Sequence, residues 1–221
     1  MGEFNVVADS IAAARIYALT SPNPSSTIPP TPIHVDKDSV LPPYPANLSR
    51  PLKLTLFPLD ITELHPLSRG LFNALTKPLL TTTSTPSPLA SWMGAFMAPM
   101  FAKAGRLHHD QSGDTASLSL HDPLCIWYML SHDSAKWARS RQSPEDIRVD
   151  TTGQWTRGMT VVDRRSRKRR ESDGERPHDV GNWLGNRSGN RVDRMVASPG
   201  QDEFARIMLE RVLGLGGDSE G

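Results

Sequence analysis

The chain has 221 residues and a formal net charge of +1, with Lys and Arg nearly matched by Asp and Glu. That length suffices for one large domain or two small ones with a real core. The near-balance of charge excludes a global electrostatic case for nucleic acid or membrane.

Met1 is followed by Gly2-Glu3-Phe4-Asn5, which is not the basic and then apolar pattern of a secretory signal. The single cysteine, Cys125, excludes an internal disulfide and fits a reducing, cytoplasmic setting. The strongly apolar segments are broken by Pro or charge well short of the ~20 residues of a membrane span.

Asp9 to Leu19 reads as a helix, with Asp9 as N-cap before a run of good helix formers. Pro22 to Pro51 carries nine prolines among Ser, Thr and Asn and reads as an extended loop. Leu52 to Phe57 alternates as a strand should, and Pro58 ends it. Asp60 or Thr62 is then placed to cap a following helix. Thr81 to Pro88 is a breaker stretch.

Ser87-Pro88 opens the clearest helix. Leu89, Trp92, Met93, Phe96, Met97, Met100, Phe101 and Ala104 form one apolar stripe, read as core packing. Pro99 is expected to kink it and Gly105 to end it. Leu118 to Leu120 reads as a short strand. Asp122 is then an N-cap and Pro123 the first helical residue, and the apolar run Leu124 to Leu130 is expected to be buried.

Ile147 to Thr151 and Met159 to Val162 read as two strands joined through Gly153. Arg164 to Asn190 is basic and Gly-rich and reads as a mobile insertion. Arg191 to Ala197 reads as a last strand. Ser198-Pro199 is expected to open a helix ending at Gly214, with a frayed tail over 214–221. Alternating strands and helices argue for an α/β fold with a partial, open, mainly parallel sheet flanked by helices. There is no internal repeat.

His121-Asp122 sets an imidazole and a carboxylate side by side where a helix begins. The helix dipole favours the carboxylate, a hard oxygen ligand suited to Ca²⁺ or Mg²⁺. Histidine is a side chain suited to protonating a leaving group. Glu3 and Asn5 flank Phe4, and in an extended backbone both would share a face and grip one hydroxyl. The run Arg164 to Arg170 lacks interleaved aromatics and is followed by acids, which favours a solvated loop over a nucleic-acid patch. His108-His109-Asp110 has no matching ligand cluster. Cys125 lies within an apolar helix and reads as structural.

Four segments in order carry a resemblance. Glu3-Phe4-Asn5 with Asp9 and Ala12-Ala13 resembles E-F-N-x-x-x-D-x-x-A-A, and Leu56 to Thr62 resembles L-x-x-x-L-D-V-T. His121-Asp122-Pro123-Leu124 matches H-D-P-L, and Thr156 to Asp163 is similar to T-R-G-x-T-V-V-D. These are motifs of the inosine/uridine-preferring nucleoside hydrolases.

The resemblance implies hydrolysis of the N-glycosidic bond of ribonucleosides, with the chain as the C-terminal portion of a single domain. It implies that Glu3 and Asn5 bind ribose. Asp122 would contact ribose hydroxyls and ligate Ca²⁺, and His121 would act as general acid to the departing base. The implied partner is the ribonucleoside substrate, with room for a homo-oligomer. The family's D-x-D-x-G-x-D-D calcium motif does not occur in these residues. Asp36-Lys37-Asp38 lacks its glycine and trailing Asp pair and is no substitute. An inactive, partner-binding relative is therefore the rival expectation.

Overall fold

The computed structural model describes residues 2–29, 49–81, 85–172, 174–201 and 203–215. Asp36-Lys37-Asp38, most of the Pro-rich segment and most of the tail lie outside these residues. The chain divides into two compact units, Met1–Leu56 with Arg139–Arg194, and Phe57–Ala138 with Met195–Gly221.

The first unit opens with two short helices, α1 (Phe4–Ala8) and α2 (Ser10–Ala18). The expected cap holds: Asp9 Oδ1 accepts from the Ala12 N–H at 2.8 Å. Strand β1 (Leu54–Leu56) runs parallel to β7 (Val192–Ala197) in register Leu54↔Val192. The two-residue strand β4 (Ala138–Arg139) flanks β7 on the other side. Glu145 exchanges both backbone hydrogen bonds with Val192, at 2.8 and 3.0 Å.

The expected pair of strands around Gly153 is an antiparallel ladder of β5 (Ile147–Val149) and β6 (Thr160–Val162). Its connection is pinned by Asp150, whose carboxylate accepts from the Thr152 and Gly153 amides and from the Thr156 hydroxyl. The small core of this unit joins Tyr17, Ile147 and Val192 with Leu54, Leu56, Val149 and Val162.

The second unit holds α3 (Leu59–Thr62), β2 (Pro66–Ser68), α4 (Arg69–Thr81), α5 (Pro88–Leu107), β3 (Ser117–Ser119), α6 (His121–Ser131) and α7 (Phe204–Leu213). Strands β2 and β3 pair antiparallel, Leu67 opposite Leu118. Phe72, Phe101, Leu67, Leu124, Met195, Phe204 and Leu209 build its core. The Phe72 and Phe101 rings lie 5.7 Å apart. Neither Asp60 nor Thr62 is an N-cap. Pro58 heads α3, and the Leu71 N–H bonds the Ser68 hydroxyl at the start of α4. Glu203, not Ser198, heads α7, and Gly214 ends it in the left-handed conformation at φ 69°, as its sequence predicts.

The α/β class stands, but the mainly parallel sheet does not. The β1–β7 ladder is parallel, but β2–β3 and β5–β6 are antiparallel, and each of these three is three residues long. Segments this short do not reveal their direction in a hydrophobic pattern, because the period of two is the same either way.

Helix α5 starts as expected, with the Ala90 N–H on the Ser87 hydroxyl at 3.2 Å, but runs past Gly105 to Leu107. Its apolar stripe splits. Ala90, Phe101 and Ala104 are buried and Met93 and Met97 pack against them. Leu89, Trp92, Phe96 and Met100 are exposed, the Trp92 and Phe96 rings stacked at 5.7 Å. The stripe is wider than the one face the core accepts. Helix α6 departs more sharply from expectation. Only Leu124 is fully buried, while Ile126, Met129 and Leu130 are about two-thirds exposed or more. Trp127 and Tyr128 complete the one side that meets the core.

His65 is a buried basic group of the second unit. Its Nε2 lies 2.8 Å from the Ser198 hydroxyl, Phe204 meets its ring edge-on, and its Nδ1 has no partner among the described residues. Burial lowers its pKa from the ordinary 6.5. The unfolded chain therefore takes up this proton more readily. The stability His65 contributes is present above about pH 6.5 and is lost as pH falls through and below that value. The expected result is a Tm that declines on acidification from pH ~7.5 to ~5.5, with a shallower decline in His65→Gln. Equal slopes would contradict it.

Candidate active site

The four motif segments fall two by two. In the second unit, L-D-I-T lies in α3 and H-D-P-L opens α6, and the two helices touch. Thr62 is 3% exposed, and its hydroxyl oxygen sits 2.8 Å from His121 Nδ1. A hydroxyl both donates and accepts, so it serves the neutral ring and the imidazolium alike. This bond fixes the ring and leaves Nε2 as the nitrogen for chemistry. The Leu120 N–H, bonded to the His65 carbonyl at 3.0 Å, anchors the chain just ahead of His121.

His121 and Asp122 are both exposed. Asp122 is not the N-cap its sequence position suggested. Leu120 holds that place without a side-chain bond, and Asp122 lies in the first turn, where the free amides and dipole favour its charge. Cys125, one turn on, is also exposed. Desolvation by its neighbours, and then the Asp122 carboxylate, push its thiol up. A thiol that resists ionisation is a poor nucleophile.

In the first unit the E-F-N segment meets the T-R-G segment. Arg157 Nη2 donates to the Val7 carbonyl at 3.0 Å, and its Nε reaches the Ser10 hydroxyl at 3.4 Å. Gly158 has φ 82°, and a Cβ there would fall 2.6 Å from Val7 Cγ2. The glycine of T-R-G thus lets α1 approach the strand.

Glu3 and Asn5 are not on one extended strand. Glu3 caps α1, its two carboxylate oxygens accepting from the Asn5 and Val6 amides at 3.0 Å each. Asn5 lies inside the helix and is exposed. A carboxylate facing free helical amides gains more from capping than from solvent, which sets this local structure. The Tyr17 phenol beneath is raised by burial and further by the Glu3 charge.

Calcium requires six to eight oxygen ligands. Among the described residues no group of three His, Cys, Asp or Glu side chains is placed to hold a metal ion. Asp122 alone does not meet that demand, so the described residues do not fit a calcium ion. His108-His109-Asp110 likewise gathers no ligand set.

The profile of the family described as inosine-uridine preferring nucleoside hydrolase matches residues 1–182. The chain belongs to that family. A comparison with curated proteins found no match. The match spans all four motif segments, and the family is one of hydrolases. No helix among the described residues is long and apolar enough to cross a membrane.

Thr62 is the functional candidate that motif reading passed over, since its position suggested only a cap. The signal was present: it closes the L-D-I-T motif, and motif residues that do not build a core need another reason to be there.

Proposed function

We propose that this nucleoside hydrolase family member cleaves the N-glycosidic bond of inosine- or uridine-type ribonucleosides, with His121 as general acid. The 2.8 Å contact between Thr62 and His121 at the open end of α6 is the observation that carries this reading. The bond from C1′ to the base nitrogen breaks through an oxocarbenium-like state. The base leaves with the electron pair and takes a proton from His121 Nε2, water adds its oxygen to C1′ as the ribose hydroxyl, and the proton it releases passes to solvent, from which His121 is reprotonated. Asp122 is the residue beside His121 suited to ribose hydroxyls. For Glu3 and Asn5 a ribose-binding role is supported by the family motif alone. Each Glu3 oxygen retains a second lone pair beyond its capping bond.

Thr62 is a positioning residue in this scheme. Thr62→Val, of nearly the same shape, is expected to lower kcat for inosine by about tenfold with little change in KM, and Thr62→Ser to recover most of it. Steady-state kinetics of the two variants reads this directly. A KM change alone, or equal loss in both variants, would remove Thr62 from the scheme.

A second reading is a family member that binds a partner rather than catalyses. Two observations favour it: no metal-holding group of His, Cys, Asp or Glu among the described residues, and the exposed apolar sides of α5 and α6. Ribose release separates the two readings.

A further inference from the structure

Residues 163–191 contain nine Lys and Arg against five Asp and Glu. The sequence of 164–190 within them suggests a mobile, solvated insertion, yet the segment is tied together internally. Arg170 and Arg165 both reach the buried Asp179, at 2.6 and 3.4 Å. Arg165 also pairs with Asp163 at 2.7 Å, and the Arg170 and Leu184 backbones bond at 2.6 Å. Acids and arginines nine and fourteen residues apart meet, which composition does not reveal.

A cavity of about 200 Å³ opens on this segment. Three carboxylates line it, and each already has an arginine. Glu145 holds Arg194 at 3.0 Å and Arg164 at 2.9 Å, Asp146 holds Arg148 at 2.8 Å, and Asp163 holds Arg165. Two lining arginines remain. Arg169 reaches only the Gly185 and Ser188 carbonyls, at 3.4 and 3.5 Å, and Arg167 has no hydrogen-bond partner among the described residues. The surplus of positive charge is felt nearby. The Arg191 guanidinium is lowered by burial and then by the charges of Arg169 and Arg148. Trp183, stacked against Arg148 at 3.8 Å, forms a rigid wall.

We propose that the cavity walled by Glu145, Arg164, Ser166, Arg167, Arg169 and Trp183 binds one small oxyanion of the phosphate class. Guanidinium forks match phosphate oxygens and gain most where they lack other partners. The volume lies below the ~300 Å³ at which pockets for drug-sized ligands begin, which suits a phosphate or single phosphoryl group. A nucleic acid fits the site less well. Arg164, Arg165 and Arg170 are engaged internally, and polyanion binding depends on many phosphate contacts.

The test is calorimetric titration of the full chain with inorganic phosphate and, separately, methyl phosphate, at low ionic strength. One saturable site is expected, weakened at least about tenfold in Arg167→Gln and in Arg169→Gln. The neighbouring Lys168→Gln, which does not line the cavity, is expected to leave it unchanged. Tighter binding of inorganic phosphate identifies free phosphate as the ligand, and tighter binding of methyl phosphate a phosphoryl group on a larger molecule; either supports the site. Circular dichroism checks that the variants, altered at exposed positions, remain folded. The proposal is overturned by the absence of saturable binding, or by an equal loss in Lys168→Gln, which would mean diffuse charge. An oligonucleotide that displaces phosphate with a steep salt dependence would overturn it in favour of a polyanion surface. None of these outcomes depends on ribose release.

Discussion

His121→Ala is expected to lower kcat for inosine hydrolysis by roughly 10²–10⁴-fold, the range that a positioned general acid supplies. The loss should depend on the leaving group. A purine leaves poorly as an anion and needs the proton. A nitrophenyl riboside leaves as a stabilised anion and should be affected far less. Stopped comparison of the two substrates on wild type and variant reads this difference, because a fold defect would slow both equally. The structural basis is the Thr62 contact, which holds Nδ1 and presents Nε2 at the exposed end of α6. Equal losses on both substrates would remove His121 as the acid.

The largest expected effect on stability comes from Asp179→Ala. The Asp179 side chain is fully buried and is the shared partner of Arg170 and Arg165. It also accepts from the Leu184 amide at 3.1 Å. Burial alone would raise its pKa, but these donors, Arg170 first, hold it below the ordinary carboxylate value. Removing it leaves the largely buried Arg170 without its counter-charge, at a cost of about 3 kcal/mol, the lower end for a broken buried pair. That lower end applies because Arg170 Nη2 keeps the Asn182 Oδ1 and Gly174 carbonyl, both at 3.2 Å. For a chain of this length the fall in Tm is roughly 6–12 °C. Thermal unfolding by circular dichroism measures it. A change within a degree or two would show that the 163–191 segment is as loosely held as its composition suggests.

What the amino-acid sequence made legible were features with a local cause. Asp9 heads α2 because its carboxylate reaches an amide three residues on. The β5–β6 ladder follows from two apolar runs around Gly153, and Gly214 closes α7 because only glycine takes φ 69° without strain. The family too was legible, from four short segments in order.

Features that depend on distant partners were not legible. Strand β2 begins at Pro66 and exists because β3 lies beside it, about fifty residues away. The exposed flanks of α5 and α6 reflect how much of each helix the core of the second unit accepts, which periodicity alone does not reveal. An extended backbone was the condition for Glu3 and Asn5 to share one face, whereas Glu3 heads a helix, because its carboxylate reaches the free amides of the first turn. Of the candidate site, His121 and Asp122 were singled out from their adjacency. Thr62 was not, since its bond to His121 spans 59 residues.

The measurement that bears most directly on the account is ribose release from inosine and from uridine by the purified 221-residue chain, followed beside its His121→Ala variant. The account predicts release well above the uncatalysed blank and its near-loss in the variant. No release above the blank, or release indifferent to His121, would contradict it and leave the chain a nucleoside hydrolase family member that binds rather than cleaves.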